Sequence, residues 1–176
     1  MRVVTSRTTG QMSRVATGSP IGTLVLEADG AGLRRIVLPN AVGDDTSAAL
    51  GDGDEVLEAA TRQLAEYFAG NRRTFDLELA PVGTPFQRSV WLALPDIPYG
   101  GTLSYAALAA RVGRPSAFRA VGQANGSNPL PLVLPCHRVI ATGGGLGGYA
   151  GGLDTKRQLL ELERSVLEGA PARLAV

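Results

Sequence analysis

A single cysteine, Cys136, stands directly before a single histidine, His137, in a chain of 176 residues. That scarcity constrains how the chain can hold itself together. One cysteine excludes an internal disulfide and any multi-cysteine metal cluster. One histidine excludes the common zinc sites, which need several cysteine or histidine ligands. Stability must then come from buried apolar surface. With 44% hydrophobic and 19% charged residues, the chain has material for one mid-sized domain or two small ones. No apolar run approaches the roughly 18 residues a membrane span needs. Met1 to Ser13 lacks an apolar secretion core. The expectation is a soluble, cytoplasmic protein with no metal and no membrane partner.

The net charge of +1 hides an asymmetry. Residues 1–85 carry eight arginines against eleven acids, for −3, and residues 86–176 carry eight arginines and Lys156 against five acids, for +4. A basic half beside an acidic half points to a local anionic partner or to ordinary surface variation. In the acidic half, Thr23 to Ala28 and Leu33 to Leu38 flank Asp29-Gly30-Ala31-Gly32 and predict a hairpin. Residues 39–54, rich in Gly, Asp and Ser, predict a loop. Leu57, Ala60, Leu64 and Phe68 predict an amphipathic helix over 55–69, ending near Gly70. Phe75, Leu77 and Leu79 alternate with acids and predict a strand, and Pro81 to Pro85 predicts a linker. The domains expected are 1–80, a linker at 81–85, and 86–176.

Thr84-Pro85 opens the second half as a helix cap with proline in the first turn. Phe86, Val90, Trp91 and Leu94 share one face of that helix, Trp91 reads as core, and Pro95 stops it. Ser104 can cap a helix running to Val112, with Gly113 as its stop. Ser116 can cap a second helix that buries Ala117, Ala120, Val121 and Ala124. Its other face holds Arg119, Gly122, Gln123 and Gly126. Two short helices joined by a tight turn fit a DNA-binding helix-turn-helix or an ordinary helical hairpin. Small residues on the exposed face would let the backbone approach a groove closely.

The turn-rich connector Asn125 to Pro131 leads into Leu132 to Ile140, whose apolar residues should bury the cysteine. A buried cysteine is commonly a small hydrophobe. A reactive one needs positive charge or a base nearby, and His137 is the available base. Neighbours on a regular strand point to opposite faces. Cysteine–histidine communication therefore needs a turn here or a bridging water, and Pro135 interrupts regular pairing. A glycine-rich stretch from Gly143 to Gly152, with Tyr149 inside it, could wrap a flat ligand. It lacks the ending of a phosphate-binding P-loop, so a nucleotide cofactor is not expected. A helix over 155–167 places Leu159, Leu162 and Val166 inward. Glu163 beside them reads as a surface carboxylate or a partner for the histidine.

Pro135-Cys136-His137-Arg138-Val139 resembles the active-site motif of the O6-alkylguanine-DNA alkyltransferases, the methylated-DNA–protein-cysteine methyltransferases. Phe86 to Trp91, Ile97-Pro98-Tyr99-Gly100, Ser104-Tyr105, Arg119 to Gly122, Asn128-Pro129 and Tyr149 to Leu153 resemble the same family, in order and at its spacing. The resemblance is strong over 85–165 and loose over the first 80 residues. It implies an α+β protein of two domains. The first is a small RNase H-like α/β domain. The second is mostly helical, with a winged-helix-like helix-turn-helix.

The resemblance also implies roles. Cys136 is the nucleophile that accepts the alkyl group, His137 the base acting through a water, and Glu163 the carboxylate orienting that histidine. Asn128 holds the bent segment before the cysteine. Arg119 is the finger that fills the gap left by a flipped base. Tyr105 rotates the phosphate and donates to the guanine ring. Ser104, Ala120, Gly122, Gln123, Ala124, Asn125 and Arg138 join the DNA contacts. Val139, Tyr149, Ala150, Gly151, Gly152 and Pro131 surround the base. The partner is duplex DNA carrying O6-alkylguanine, with O4-alkylthymine as a second substrate. The protein would act as a monomer able to cluster along DNA, without a cofactor. A thioether has no leaving group, so each molecule would turn over once. The zinc of some family members is excluded. Phe118 stands where a small residue is commoner, either packing or adding a wedge. Ala150 replaces a serine that contacts the base in some relatives. A non-catalytic lesion-binding relative would lack the cysteine, and a cysteine hydrolase would need a second histidine.

Overall fold

The computed structural model describes residues 2–3, 11–42, 54–170 and 172. The chain divides into two compact units, Met1–Val82 and Gly83–Val176.

The first unit is a five-stranded sheet with one helix. Strands β1 (Arg2–Val3), β2 (Ser13–Thr17), β3 (Leu24–Asp29), β4 (Gly32–Val37) and β5 (Glu78–Leu79) lie in the order β1-β5-β4-β3-β2. The β3–β4 hairpin forms where the two apolar runs and the turn between them predict it, with Asp29 opposite Gly32 at the turn. Gly32 has φ +129°, and a Cβ there would collide with the backbone of Glu78, so only glycine fits. Strand β2 has no counterpart in the sequence reading. Only Val15 of its five residues is buried, so the pattern that marks a strand is nearly absent.

Helix α1 (Glu55–Phe68) lies against the sheet through Leu57, Ala60, Leu64, Tyr67 and Phe68. Asp54 caps it, its carboxylate accepting from the amides of Val56 and Leu57. Leu77 and Leu79 are buried as the alternation predicts, yet pairing is confined to β5. Gln63 accounts for the shortening. Its side chain accepts from the Asp76 amide and donates to the Asp76 carbonyl, both at 2.8 Å, occupying the backbone a strand would use. Of the loop expected over 39–54, residues 39–41 form a 3-10 turn, and 43–53 lie outside the described residues.

The second unit begins with α2 (Pro85–Leu92). Thr84 and Gln87 cap it reciprocally, side chain to backbone in both directions. Trp91 is buried as core, and its indole N–H donates to the Ala124 carbonyl at 2.7 Å. That bond ties α2 to α4 (Phe118–Gly126). Truncating a tryptophan in such a place typically costs about 3–5 kcal/mol. A 3-10 turn at Leu94–Asp96 ends this segment at Pro95.

Strands β6 (Leu103–Ser104) and β7 (Val139–Ile140) pair in parallel, Leu103 opposite Val139. Ser104 caps α3 (Tyr105–Arg111), which packs on α4 across a turn ended by Gly113. This pairing sets Tyr105 beside the segment that carries Cys136. Helix α4 departs from expectation at its start and on its buried face. Ala117, not Ser116, holds the cap position and makes no capping bond. The buried residues are Val121, Ala124 and Asn125, while Ala120 is exposed. The last helix, α5 (Leu153–Leu167), buries Lys156, Leu159, Leu162 and Glu163. Two charged residues thus lie on its inner face.

Candidate active site

Cys136, His137 and Arg138 form a 3-10 turn between Pro135 and β7. This is the turn that communication between the two neighbours requires. The approach to it is bent. Leu132 has φ +74°, an uncommon left-handed conformation for a branched residue. Asn128 holds that path. Its amide donates to the Leu134 carbonyl at 2.6 Å, and its side-chain oxygen accepts from the Leu130 amide at 3.0 Å. Asn125 donates to the Cys136 carbonyl at 3.3 Å.

Cys136 is a buried free thiol. Burial pushes its pKa up to about 11. A hydrogen bond from Asn128 and the positive charge of Lys156 oppose that rise without cancelling it. The resting group is a neutral thiol.

His137 is fully buried, and its Nε2 lies 2.9 Å from Oε1 of Glu163. Burial lowers the imidazole pKa, against the pull of Glu163, so the ring is neutral. A carboxylate only accepts, so Nε2 carries the proton. Nδ1 then holds a lone pair, and it is buried without a partner among the described residues. An unprotonated imidazole nitrogen is able to accept a proton, directly or through one bridging water.

Glu163 is not at the surface. Its carboxylate accepts from Arg138 Nε and Nη2, each within 2.9 Å, and from the Gly100 amide at 2.9 Å. Burial favours the neutral acid, but His137 and Arg138 outweigh it and hold the pKa at about 2. Arg138 also donates to the Ile97 carbonyl at 2.7 Å and lies over the Tyr99 ring. This corrects its expected place among the DNA contacts. Its guanidinium is buried and committed to Glu163, leaving no hand for a phosphate. Ala124 and Asn125 are corrected for the same reason, since both are buried on the inner face of α4. Ser104 is occupied as the cap of α3.

Lys156 went unrecognised as a site residue. It is completely buried, and its ammonium donates to the carbonyls of Val139 at 2.6 Å, Gly148 at 3.2 Å and Leu146. Burial lowers its pKa to about 8. It binds α5 to the loop after the cysteine and puts a cation near the sulfur. One signal was available. Lys156 is the only lysine beside sixteen arginines. Three carbonyls converging on one point suit a compact ammonium, not a planar guanidinium.

A cavity of about 460 Å³ opens beside this centre, lined by Tyr105, Arg119, Gly122, Gln123, Gly126, Gly148, Tyr149 and Ala150. Its size fits a small planar ligand. The structure therefore brings together Arg119, the small-residue face of α4 and the glycine-rich loop. Pro131, Val139, Gly151 and Gly152 do not line it. Pro131 and Val139 are buried, and Gly152 holds the cap position before α5. Tyr105 donates to the Gly148 carbonyl at 3.4 Å, and burial raises its pKa, so it stays a proton donor. Gly147 makes this approach possible. It has φ +68°, and a Cβ there would sit 2.8 Å from the Tyr105 ring. Tyr149 packs edge-on to His137, with its hydroxyl buried.

A neutral thiol, a neutral imidazole with one open nitrogen and a neighbouring cavity make a centre suited to nucleophilic attack by sulfur. Two family models match the chain: the ribonuclease-like domain of 6-O-methylguanine DNA methyltransferase over residues 15–81, and its DNA binding domain over 85–165. The methylated-DNA–protein-cysteine methyltransferase of Methanosarcina acetivorans is 47% identical over 148 residues, covering 84% of this chain and 95% of that one. The enzyme of the same description from Mycobacterium bovis is 45% identical, covering 90% and 94%. The crystal structure of Mycobacterium tuberculosis OGT in complex with DNA matches with TM-score 0.79 and 44% identity, covering 91% of this chain and 96% of that one. The chain belongs to the 6-O-methylguanine DNA methyltransferase family.

Proposed function

We propose that this protein repairs alkylated DNA by moving the alkyl group of O6-alkylguanine onto Cys136. The observation that carries the reading is the state of His137. Glu163 holds Nε2, and Nδ1, on the residue next to Cys136, has no hydrogen-bond partner among the described residues.

The modified base lies inside the stack, so the nucleotide must be extruded, at a cost of a few kcal/mol. Arg119 takes the vacated place, and Gly122 and Gly126 let the α4 backbone approach the minor groove. The base enters the cavity between α4 and the loop at Gly148. A water relays the thiol proton to Nδ1 of His137 as sulfur attacks the alkyl carbon. The S–C bond forms and the C–O6 bond breaks. Tyr105 protonates the ring nitrogen so that the departing guanine leaves neutral. In net terms the thiol proton replaces the alkyl group on the base. Glu163 stabilises the transient imidazolium, and Lys156 stabilises charge on sulfur. The high resting pKa of Cys136 keeps the thiol quiet until a substrate is seated.

The thioether is stable and the reaction stops after one turnover. The Gly83–Val176 unit is the DNA-binding and alkyl-transfer domain. The same centre accepts O4-alkylthymine. The protein works as a monomer in the cytoplasm, where a free thiol stays reduced. The test is to incubate it with a duplex containing O6-methylguanine and weigh the Cys136 peptide. One methyl per molecule is the expected result. An unmodified thiol with tight binding, or repeated turnover, would overturn the reading.

A further inference from the structure

Helix α4 carries an aromatic side chain that the fold does not use. Phe118, its first residue, is 47% exposed, although the same helix buries Val121, Ala124 and Asn125. A cation lies beside the ring. The Arg119 guanidinium carbon lies 5.7 Å from its centroid, within cation–π range. Among the described residues no carboxylate pairs with Arg119, which also lines the cavity beside the cysteine. An aromatic plate and a cation therefore project together from one end of a wall otherwise built from Gly122, Gln123 and Gly126.

The surroundings say what such a projection meets. From Ile97 to Leu153 the chain contains no acidic residue, while Arg111, Arg114 and Arg119 are exposed. A polyanion is attracted there and an acidic protein surface is not needed to explain it. Apolar side chains that enter a minor groove do so by wedging between base steps. An aromatic ring has a stacking face that suits any base.

We propose that Phe118 and Arg119 enter the duplex as a pair, Arg119 filling the vacated position and the Phe118 ring stacking on the neighbouring base pair. Phe118 is thus a specificity-determining residue for duplex substrate, and this inference rests on the alkyl-transfer reading above. The wedge holds the opened step apart, so it matters only where a base must leave a stack. It has no part in the chemistry at sulfur.

The experiment compares alkyl transfer from an O6-methylguanine duplex with transfer from the free O6-methylguanine base, for wild type, Phe118→Ala and Phe118→Trp. Loss of one aromatic–base stack lowers the Phe118→Ala duplex rate about 5- to 100-fold. Its rate on the free base stays within about twofold of wild type, which also shows that the variant is folded. Phe118→Trp keeps at least about half the duplex rate, because it keeps the stacking face. An unchanged duplex rate for Phe118→Ala overturns the proposal, as do equal losses on both substrates or a tryptophan variant as slow as the alanine one. Wild type that takes no methyl from the duplex overturns the alkyl-transfer reading as well. Wild type that repairs beside an alanine variant that repairs equally well overturns the wedge alone.

Discussion

Each unit buries one carboxylate against one arginine, and the two pairs do different work. In the first unit, Asp29 accepts from the Arg34 Nε and Nη2 and from the Ala31 amide, all within 2.9 Å. Arg34 also donates to the Ala80 carbonyl, so the pair fastens β4 to the end of β5. Every group in that network has found a partner, and its product is a held sheet. In the second unit, Glu163 is equally well supplied, by Arg138 and the Gly100 amide, but it spends one oxygen on His137. That contact fixes the imidazole and leaves Nδ1 without a partner among the described residues. A buried polar atom left open is expensive. The structure tolerates it at the atom that the proposed proton transfer would use. The difference between a structural pair and a working one is this open atom, not burial or charge.

Removing the open nitrogen should have the largest effect on the second unit. His137→Phe keeps an aromatic ring at the site and deletes both ring nitrogens. The rate of alkyl transfer to Cys136 should fall about 10²- to 10⁴-fold, the usual worth of general-base help. Single-turnover kinetics on a methylated duplex measure it. A loss under tenfold would mean that the thiol finds another base.

Glu163→Gln comes next. It removes the charge that offsets Arg138, and breaking a buried pair from one side costs about 3–5 kcal/mol. Urea unfolding reads that loss directly. The same residue makes the second unit sensitive to acid. The Glu163 pKa is about 2 when folded, against an ordinary 4.5. A lowered folded pKa stabilises above the unfolded value, and the gain is lost as pH falls through the folded one. Wild type should therefore shed about 3 kcal/mol between pH 4.5 and 2. Glu163→Gln should show a flatter profile over that window. Parallel profiles would show that another group carries the acid response.

The comparison also explains what was legible in the sequence. The hairpin, α1, α2 and α3 were readable because their apolar spacing and their turn or cap signals agree, as at Asp29 to Gly32 and Thr84. The edge strand β2 was not, because an edge buries too little to write alternation into five residues. At the site, the Cys136-His137 adjacency pointed to chemistry before any fold was known. The resemblance sets Arg138 among the DNA contacts, while its bonded partner Glu163 lies 25 positions away on α5, a pairing that no local spacing shows. Lys156 escaped for the same reason, since its three carbonyls are scattered over Val139, Leu146 and Gly148. Long-range polar pairing has no period, so spacing arguments do not detect it.

Asp29→Asn gives the smallest effect and completes the contrast. The Arg34 guanidinium beside Asp29, through its hydrogen bond first, lowers the carboxyl pKa despite burial. An asparagine keeps the shape and one acceptor, but it turns a second acceptor into a donor facing Arg34 Nε and Nη2. The expected cost is about 1–3 kcal/mol, the penalty for one unsatisfied buried group. Arg34 is partly exposed, and solvent screening puts the value toward the lower end. No open atom of the reacting centre depends on this pair. The rate of methyl transfer to Cys136 should therefore stay within about twofold of wild type at temperatures where the variant is folded. Thermal unfolding and single-turnover kinetics on one preparation decide it. A variant that unfolds earlier yet reacts normally assigns Asp29 to the sheet alone. A variant that is stable but slow would mean that the first unit acts on the chemistry, and the division between a held carboxylate and a working one would fail.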